Sequence, residues 1–128
     1  MSLRSPLGAA LGTGSAKGGT SHWYAQRITA VALVVLGLWF LVSLAMMGGS
    51  DYEVVARWLR SPVNSTLAVI LVGVSAYHAV LGLQVIVEDY VGDKNSRAFV
   101  LALIKFVFGF AAVFGVLAVL RVAFGVSA

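Results

Sequence analysis

The sequence predicts an all-α membrane protein with three transmembrane helices, a cytoplasmic N-terminus and packing within a heteromeric bundle. Three observations carry this prediction. Sixty per cent of the 128 residues are hydrophobic and only 11% are charged, whereas a soluble domain carries about 25% charged residues. Three apolar runs, about 28–47, 63–89 and 98–125, are each long enough to cross a hydrocarbon layer roughly 30 Å thick. One ionisable side chain, His78, stands well inside the second run. A domain this small has too much surface to cover with so few charges in water. Fourteen glycines fit the same solvent, because membrane helices are richer in glycine than soluble ones.

The chain divides into a polar tail over 1–21 and a three-helix domain over 22–128. The tail holds Gly12, Gly14, Gly18 and Gly19, which argue against a stable helix there. No apolar core of roughly 7–15 residues lies near the start, so a secretory signal peptide is not expected. Thr20 or Ser21 can cap the first helix. His22, Trp23 and Tyr24 then suit the membrane–water interface. Arg27 enters the apolar run directly, followed by Ile28, Thr29 and Ala30. A snorkelling side chain accounts for it; so does a position inside the bundle, where a guanidinium would take a carboxylate bidentately.

The first run, 28–47, is uncharged and ends at Gly48-Gly49-Ser50. Between Asp51 and Ser61, Tyr52, Val55, Trp58 and Leu59 suggest a short amphipathic helix on the membrane surface. Pro62 suits the first turn of the second span. Residues 92–97 read as a tight polar loop. The third run contains Lys105 and Arg121, with 15 uncharged residues between them. Both can snorkel outward in opposite directions. Ala111 and Gly115 form a small-xxx-small pair for close packing. Arg4, Lys17, Arg27, Lys94 and Arg97 fall on the N-terminal side, with Lys105 leaning that way, against Arg57, Arg60 and Arg121 on the other. The positive-inside rule therefore puts the N-terminus in the cytoplasm.

The second span carries the chemistry. His78 lies roughly 20 Å from the Val63 end and roughly 15 Å from Glu88 along a helix, near mid-depth. Ionisable groups are rare there and have specific partners. Ser75, Ala79 and Gly82 share its face and are small, which admits either another helix or a flat ligand. The residues alone leave both readings open: an imidazole hydrogen-bonded to a neighbouring helix, or a ligand for haem iron. Glu88, Asp89 and Tyr90 close the span. They mark a helix end, and a tyrosine hydroxyl there can also donate to a quinone carbonyl.

Several chemistries are excluded. With no cysteine, the chain has no disulfide, thiolate metal site or cysteine-ligated cluster. The net charge of +4 is scattered and flanks apolar runs, so it signals no nucleic acid. No nucleophile–base set and no phosphate-binding glycine loop is present. His22 and His78 are 56 residues apart, so a haem held by two histidines would need its second ligand from another chain.

The pattern H-x-x-x-G-x-x-x-x-x-x-D-Y, carried by His78, Gly82, Asp89 and Tyr90, resembles the second helix of the succinate dehydrogenase (respiratory complex II) hydrophobic membrane anchor, in its smaller D-type form. His22-Trp23 before Arg27 and Ile28-Thr29-Ala30 is similar to the entrance of that family's first helix. The resemblance runs over roughly residues 21–126. The larger, cytochrome b556-type anchor has a Ser and a His-Arg pair before its first helix, and this chain lacks that pair. The resemblance implies that His78 is an axial ligand of haem b, that Arg27 pairs with a propionate, and that Tyr90 binds ubiquinone with Asp89 beside it. Trp23 would stand at the quinone entrance, and His22 either there or as a plain anchor. It further implies a flavoprotein subunit with FAD, an iron–sulfur subunit with three clusters and a second anchor as partners, and a subunit that is not catalytic alone. Trimers of such heterotetramers occur in the family. The setting implied is the inner membrane of a bacterium, ahead of that of a mitochondrion. A fumarate reductase anchor, or a small structural or transport protein without cofactor, remain the alternative readings.

Overall fold

Each apolar run extends beyond its hydrophobic limits into a longer helix. The computed structural model describes residues 17–48 and 51–125. These form α1 (Lys17–Met47), α2 (Tyr52–Leu59), α3 (Pro62–Tyr90) and α4 (Lys94–Ala123), with no strand among the described residues. Helices α1, α3 and α4 are long and apolar enough to cross a membrane. Their 31, 29 and 30 residues correspond to roughly 45 Å of helix each, so the ends stand in the headgroup layers.

The ends of the helices follow local chemistry. Helix α1 starts at Lys17, so Gly18, Gly19, Thr20 and Ser21 are helical and are neither an irregular tail nor a cap. A glycine weakens a helix by about 1 kcal/mol, but adding a residue to a helix already nucleated gains a hydrogen bond. Residues 1–16, the remainder of the expected tail, lie outside the described residues. Gly48, at φ 64°, closes α1 in the left-handed conformation that a helix C-terminus favours. The expected short amphipathic helix is α2, and Pro62 opens α3 as anticipated. The 92–97 loop is shorter than the sequence suggests. The Asp93 carboxylate accepts the Ser96 N–H at 2.7 Å, which caps α4 and draws residues 94–97 into its first turn.

Helix α3 is the centre of the fold. It packs against α1 on one side and α4 on the other, while α2 tucks against α3 and α4. Trp58 of α2 stacks on Trp39 of α1 with centroids 5.3 Å apart and also touches Phe40. The Asn64 side-chain amide donates to the Trp58 carbonyl at 3.0 Å and fixes the turn from α2 into α3. Lipid gives helices little hydrophobic reason to associate, so close backbone approach matters more. Gly115 supplies it: a Cβ there would come within 2.9 Å of Val72 Cγ1. Its expected companion Ala111 is exposed and takes no part in that contact.

Little of the chain is buried. Only Ala56, Leu59, Ala68, Leu81 and Val87 are buried apolar residues among those described, and α4 contributes none. Phe99, Phe106, Phe110 and Phe114 form an exposed stripe on α4. In water such a surface would drive association; next to acyl chains or another subunit's helices it matches its surroundings.

Two predictions follow from this packing. Gly115→Ala should destabilise the fold by roughly 1–3 kcal/mol, because β-branched Val72 has little freedom to move aside. Gly109→Ala, where a Cβ meets nothing within 4 Å, should be close to neutral; thermal unfolding in detergent compares the two. The Ser96 N–H also holds the Asp93 carboxyl below its ordinary value. A depressed folded-state pKa stabilises above the unfolded value of 3.8 and loses that contribution as pH falls through the lower, folded value. The protection of amides 95–97, measured against their intrinsic exchange rates, should therefore fall in acid, and Asp93→Ala should lower it already at neutral pH.

Candidate functional site

The site begins with a threonine in the middle of α1. Thr29 is the only buried polar residue among those described, at 8% exposure. Its Oγ1 lies 2.7 Å from the Ala25 carbonyl oxygen and 3.1 Å from that of Gln26. This is the usual way a hydroxyl inside a helix satisfies its proton, through the carbonyl a turn back. The same oxygen lies 2.7 Å from Nδ1 of His78 on α3. The imidazole in the middle of α3 is therefore tied to the neighbouring helix of its own chain.

That contact sets the register of two antiparallel helices. One turn away, Gly82 faces the Gln26 side chain, which a Cβ would meet at 3.8 Å. A Cβ there would make only ordinary van der Waals contact, so the place is close but not crowded. Around the contact, Trp23, Gln26, Arg27, Ala30 and His78 line a groove of about 350 Å³. The Arg27 guanidinium sits over the Trp23 ring, 5.1 Å from its centroid, a cation–π contact that holds it at the groove. Tyr24 meets Trp23 edge-on, with ring centroids 5.1 Å apart. Three of the residues singled out in the sequence, Trp23, Arg27 and His78, thus stand together.

Asp89 and Tyr90 stand apart from that groove. They end α3 roughly 16–18 Å along the axis from His78, and both are exposed, Tyr90 at 85%. Glu88 accepts a hydrogen bond from the Gln84 side chain at 2.8 Å. The Nε2 atom of His22 is buried without a hydrogen-bond partner.

Two contributors went unrecognised in the sequence. Thr29 looked like one more residue of an apolar run. Its signal was its place seven residues after His22 and three after Gln26, on the polar face of α1. Arg97 was counted only as a loop charge. It donates from Nε to the Val91 carbonyl at 2.9 Å and reaches the Gly92 carbonyl at 3.5 Å. A guanidinium on these carbonyls offsets the unfavourable placement of carboxylates at the C-terminus of α3.

The described residues contain no cluster of three His, Cys, Asp or Glu able to hold a metal ion. What they offer is one imidazole opening on a groove with a guanidinium at its edge. One nitrogen lone pair and one cation fit a metal-bearing macrocycle with anionic side arms.

The fold is that of a three-span membrane protein with most of its apolar surface uncovered. Residues 1–119 match the family model described as the succinate dehydrogenase/fumarate reductase transmembrane subunit. Among similar proteins, the succinate dehydrogenase hydrophobic membrane anchor subunit of Rickettsia bellii is 39% identical over 103 residues, 80% of this chain and 82% of its own. The protein of the same description from Paracoccus denitrificans is 30% identical over 108 residues, covering 84% and 82%. The succinate dehydrogenase membrane anchor subunit of Reclinomonas americana is 28% identical over 92 residues, covering 70% and 77%. The chain belongs to this transmembrane-subunit family, on the side of the succinate dehydrogenase membrane anchors.

Arg97→Ala should loosen the turn between α3 and α4. Faster amide exchange across 91–93, with exchange in the middle of α3 unchanged, is the expected result.

Proposed function

We propose that this chain is the smaller, D-type anchor of a bacterial succinate:ubiquinone oxidoreductase, and that it supplies half of a haem b site and part of a ubiquinone site. The observation that carries the reading is an imidazole in the middle of a long apolar helix, tied at Nδ1 to its own chain and lining a groove edged by Arg27. His78 would hold the haem iron from this chain, a histidine of a second, cytochrome b556-type anchor would complete the site, and Arg27 would pair with a propionate. When bound, haem b supplies a one-electron centre beside the route from the iron–sulfur subunit to the quinone.

Tyr90 donates its phenolic proton in a hydrogen bond to the ubiquinone head group, Asp89 orients it, and Trp23 stands at the entrance. The exposure of Tyr90 and Asp89 suits a pocket whose other walls belong to the second anchor and the iron–sulfur subunit. FAD and the iron–sulfur clusters reside in the soluble partners, since this chain has no cysteine to ligate a cluster. The apolar faces of α1 and α4 are then covered by lipid and the second anchor. The N-terminus and the turn between α3 and α4 lie on the cytoplasmic side of the inner membrane, where the soluble subunits dock. The chain's work is to hold that arm at the membrane and to keep both sites dry.

The purified complex should show a reduced-minus-oxidised b-type spectrum that is lost or reshaped in His78→Ala. An unchanged spectrum would remove His78 from the haem. Tyr90→Phe should slow ubiquinone reduction roughly 2- to 10-fold, the loss of one hydrogen bond. Succinate oxidation with an artificial acceptor should stay intact; an equal fall in both assays would take Tyr90 out of the quinone site.

A further inference from the structure

We infer that Thr29 is a positioning residue for His78: it holds the imidazole with its proton on Nδ1, leaves Nε2 as the free lone pair, and strengthens that lone pair as a donor. The inference rests on the reading of His78 as a haem ligand and adds which nitrogen binds and what tunes it.

The proton count decides the tautomer. Thr29 Oγ1 has one proton and two short neighbours, the Ala25 carbonyl oxygen and His78 Nδ1, each at 2.7 Å. A carbonyl oxygen only accepts. If the hydroxyl proton pointed at Nδ1, Oγ1 and the Ala25 oxygen would face each other at 2.7 Å with no proton between them. The hydroxyl therefore donates to Ala25, with Gln26 as a weaker second acceptor at 3.1 Å. The proton between Oγ1 and the ring must then belong to Nδ1. The result is a chain running from His78 Nδ1–H to Thr29 Oγ1–H to the Ala25 carbonyl.

Three consequences follow. A neutral imidazole protonated at Nδ1 has its lone pair on Nε2, and the ring borders the groove with Trp23, Gln26, Arg27 and Ala30. The ring cannot swing freely, because Thr29 is buried and its own proton is anchored to α1. A donor that is itself part of a hydrogen-bonded chain is polarised by it, so Nδ1 gives up electron density to Nε2. Outer partners of this kind orient a ligating histidine and strengthen its donor nitrogen. A stronger donor would favour the ferric over the ferrous state of a bound haem and lower its midpoint potential.

The test uses the whole membrane complex. Thr29→Val keeps the shape and removes the hydroxyl; Thr29→Ser restores it. Haem content, the haem b midpoint potential and the low-spin EPR g-values are read for both. Thr29→Val should raise the potential and shift the g-values at unchanged haem content, and Thr29→Ser should return both towards wild type. A silent Thr29→Val with haem retained overturns the inference, provided His78→Ala reshapes the spectrum. If His78→Ala itself is silent, the ligand assignment fails instead. Should Thr29→Val not assemble, redox-difference infrared spectra of the wild-type complex labelled with [15N]histidine decide it. A ring mode of an Nδ1-protonated, hydrogen-bonded imidazole supports the inference, and an Nε2-protonated ring overturns it.

Discussion

A hydrogen bond between Thr29 and His78, 2.7 Å long, joins the two helices that frame the groove. Its importance comes from the solvent. Within an apolar span water is scarce, so an imidazole there needs a protein partner or is costly to bury. Thr29 is that partner, and its donation to the Ala25 carbonyl leaves it the acceptor of the pair. Gly82 beside Gln26 and the antiparallel course of α1 and α3 follow the same register. So does the meeting of Arg27 and Trp23 with His78, since all three depend on which turn of α1 faces which turn of α3.

The rest of the fold is a scaffold with an unfinished surface. The α3–α4 pair relies on Gly115 letting Val72 approach, and on two polar devices at its turn, the Asp93 cap and the Arg97 strap. The opposite end is held by Trp58 against Trp39 and Phe40. None of these contacts closes a core in the manner of a soluble protein, and the phenylalanine stripe of α4 faces outward. A chain that presents so much apolar surface is suited to lipid and to the company of other subunits, and the relatives it resembles are named as membrane anchor subunits.

The two candidate sites differ in how complete they are within this chain. The groove at His78 already has a tethered imidazole, a small residue at Ala30 and a guanidinium parked on an aromatic ring. The end of α3 has only exposed groups: Asp89 and Tyr90 gain their context from whatever packs over the α3–α4 turn. The Arg97 strap matters there because it orders the backbone immediately after Tyr90.

Much was settled by composition and period alone. Three apolar stretches too long and too uncharged for water determine three spans, because a bilayer demands about 20 apolar residues and punishes charge. Pro62 and the Tyr52–Leu59 pattern likewise announced their elements, since their effects are local. A lone histidine in a span marked the site for the same reason: lipid makes it expensive unless used. Where the sequence misled, the deciding influence lay further away or in competition. Gly18 and Gly19 argued for a tail, yet helix propagation carried α1 back to Lys17; residues 94–97 read as loop until the Asp93 side chain captured Ser96. What no linear pattern could reveal is which residues meet across helices. Thr29 and His78 are 49 positions apart, and an isolated threonine in an apolar run looks like filler. Only packing α1 against α3 in one register turns it into the group that decides where the proton on the imidazole resides.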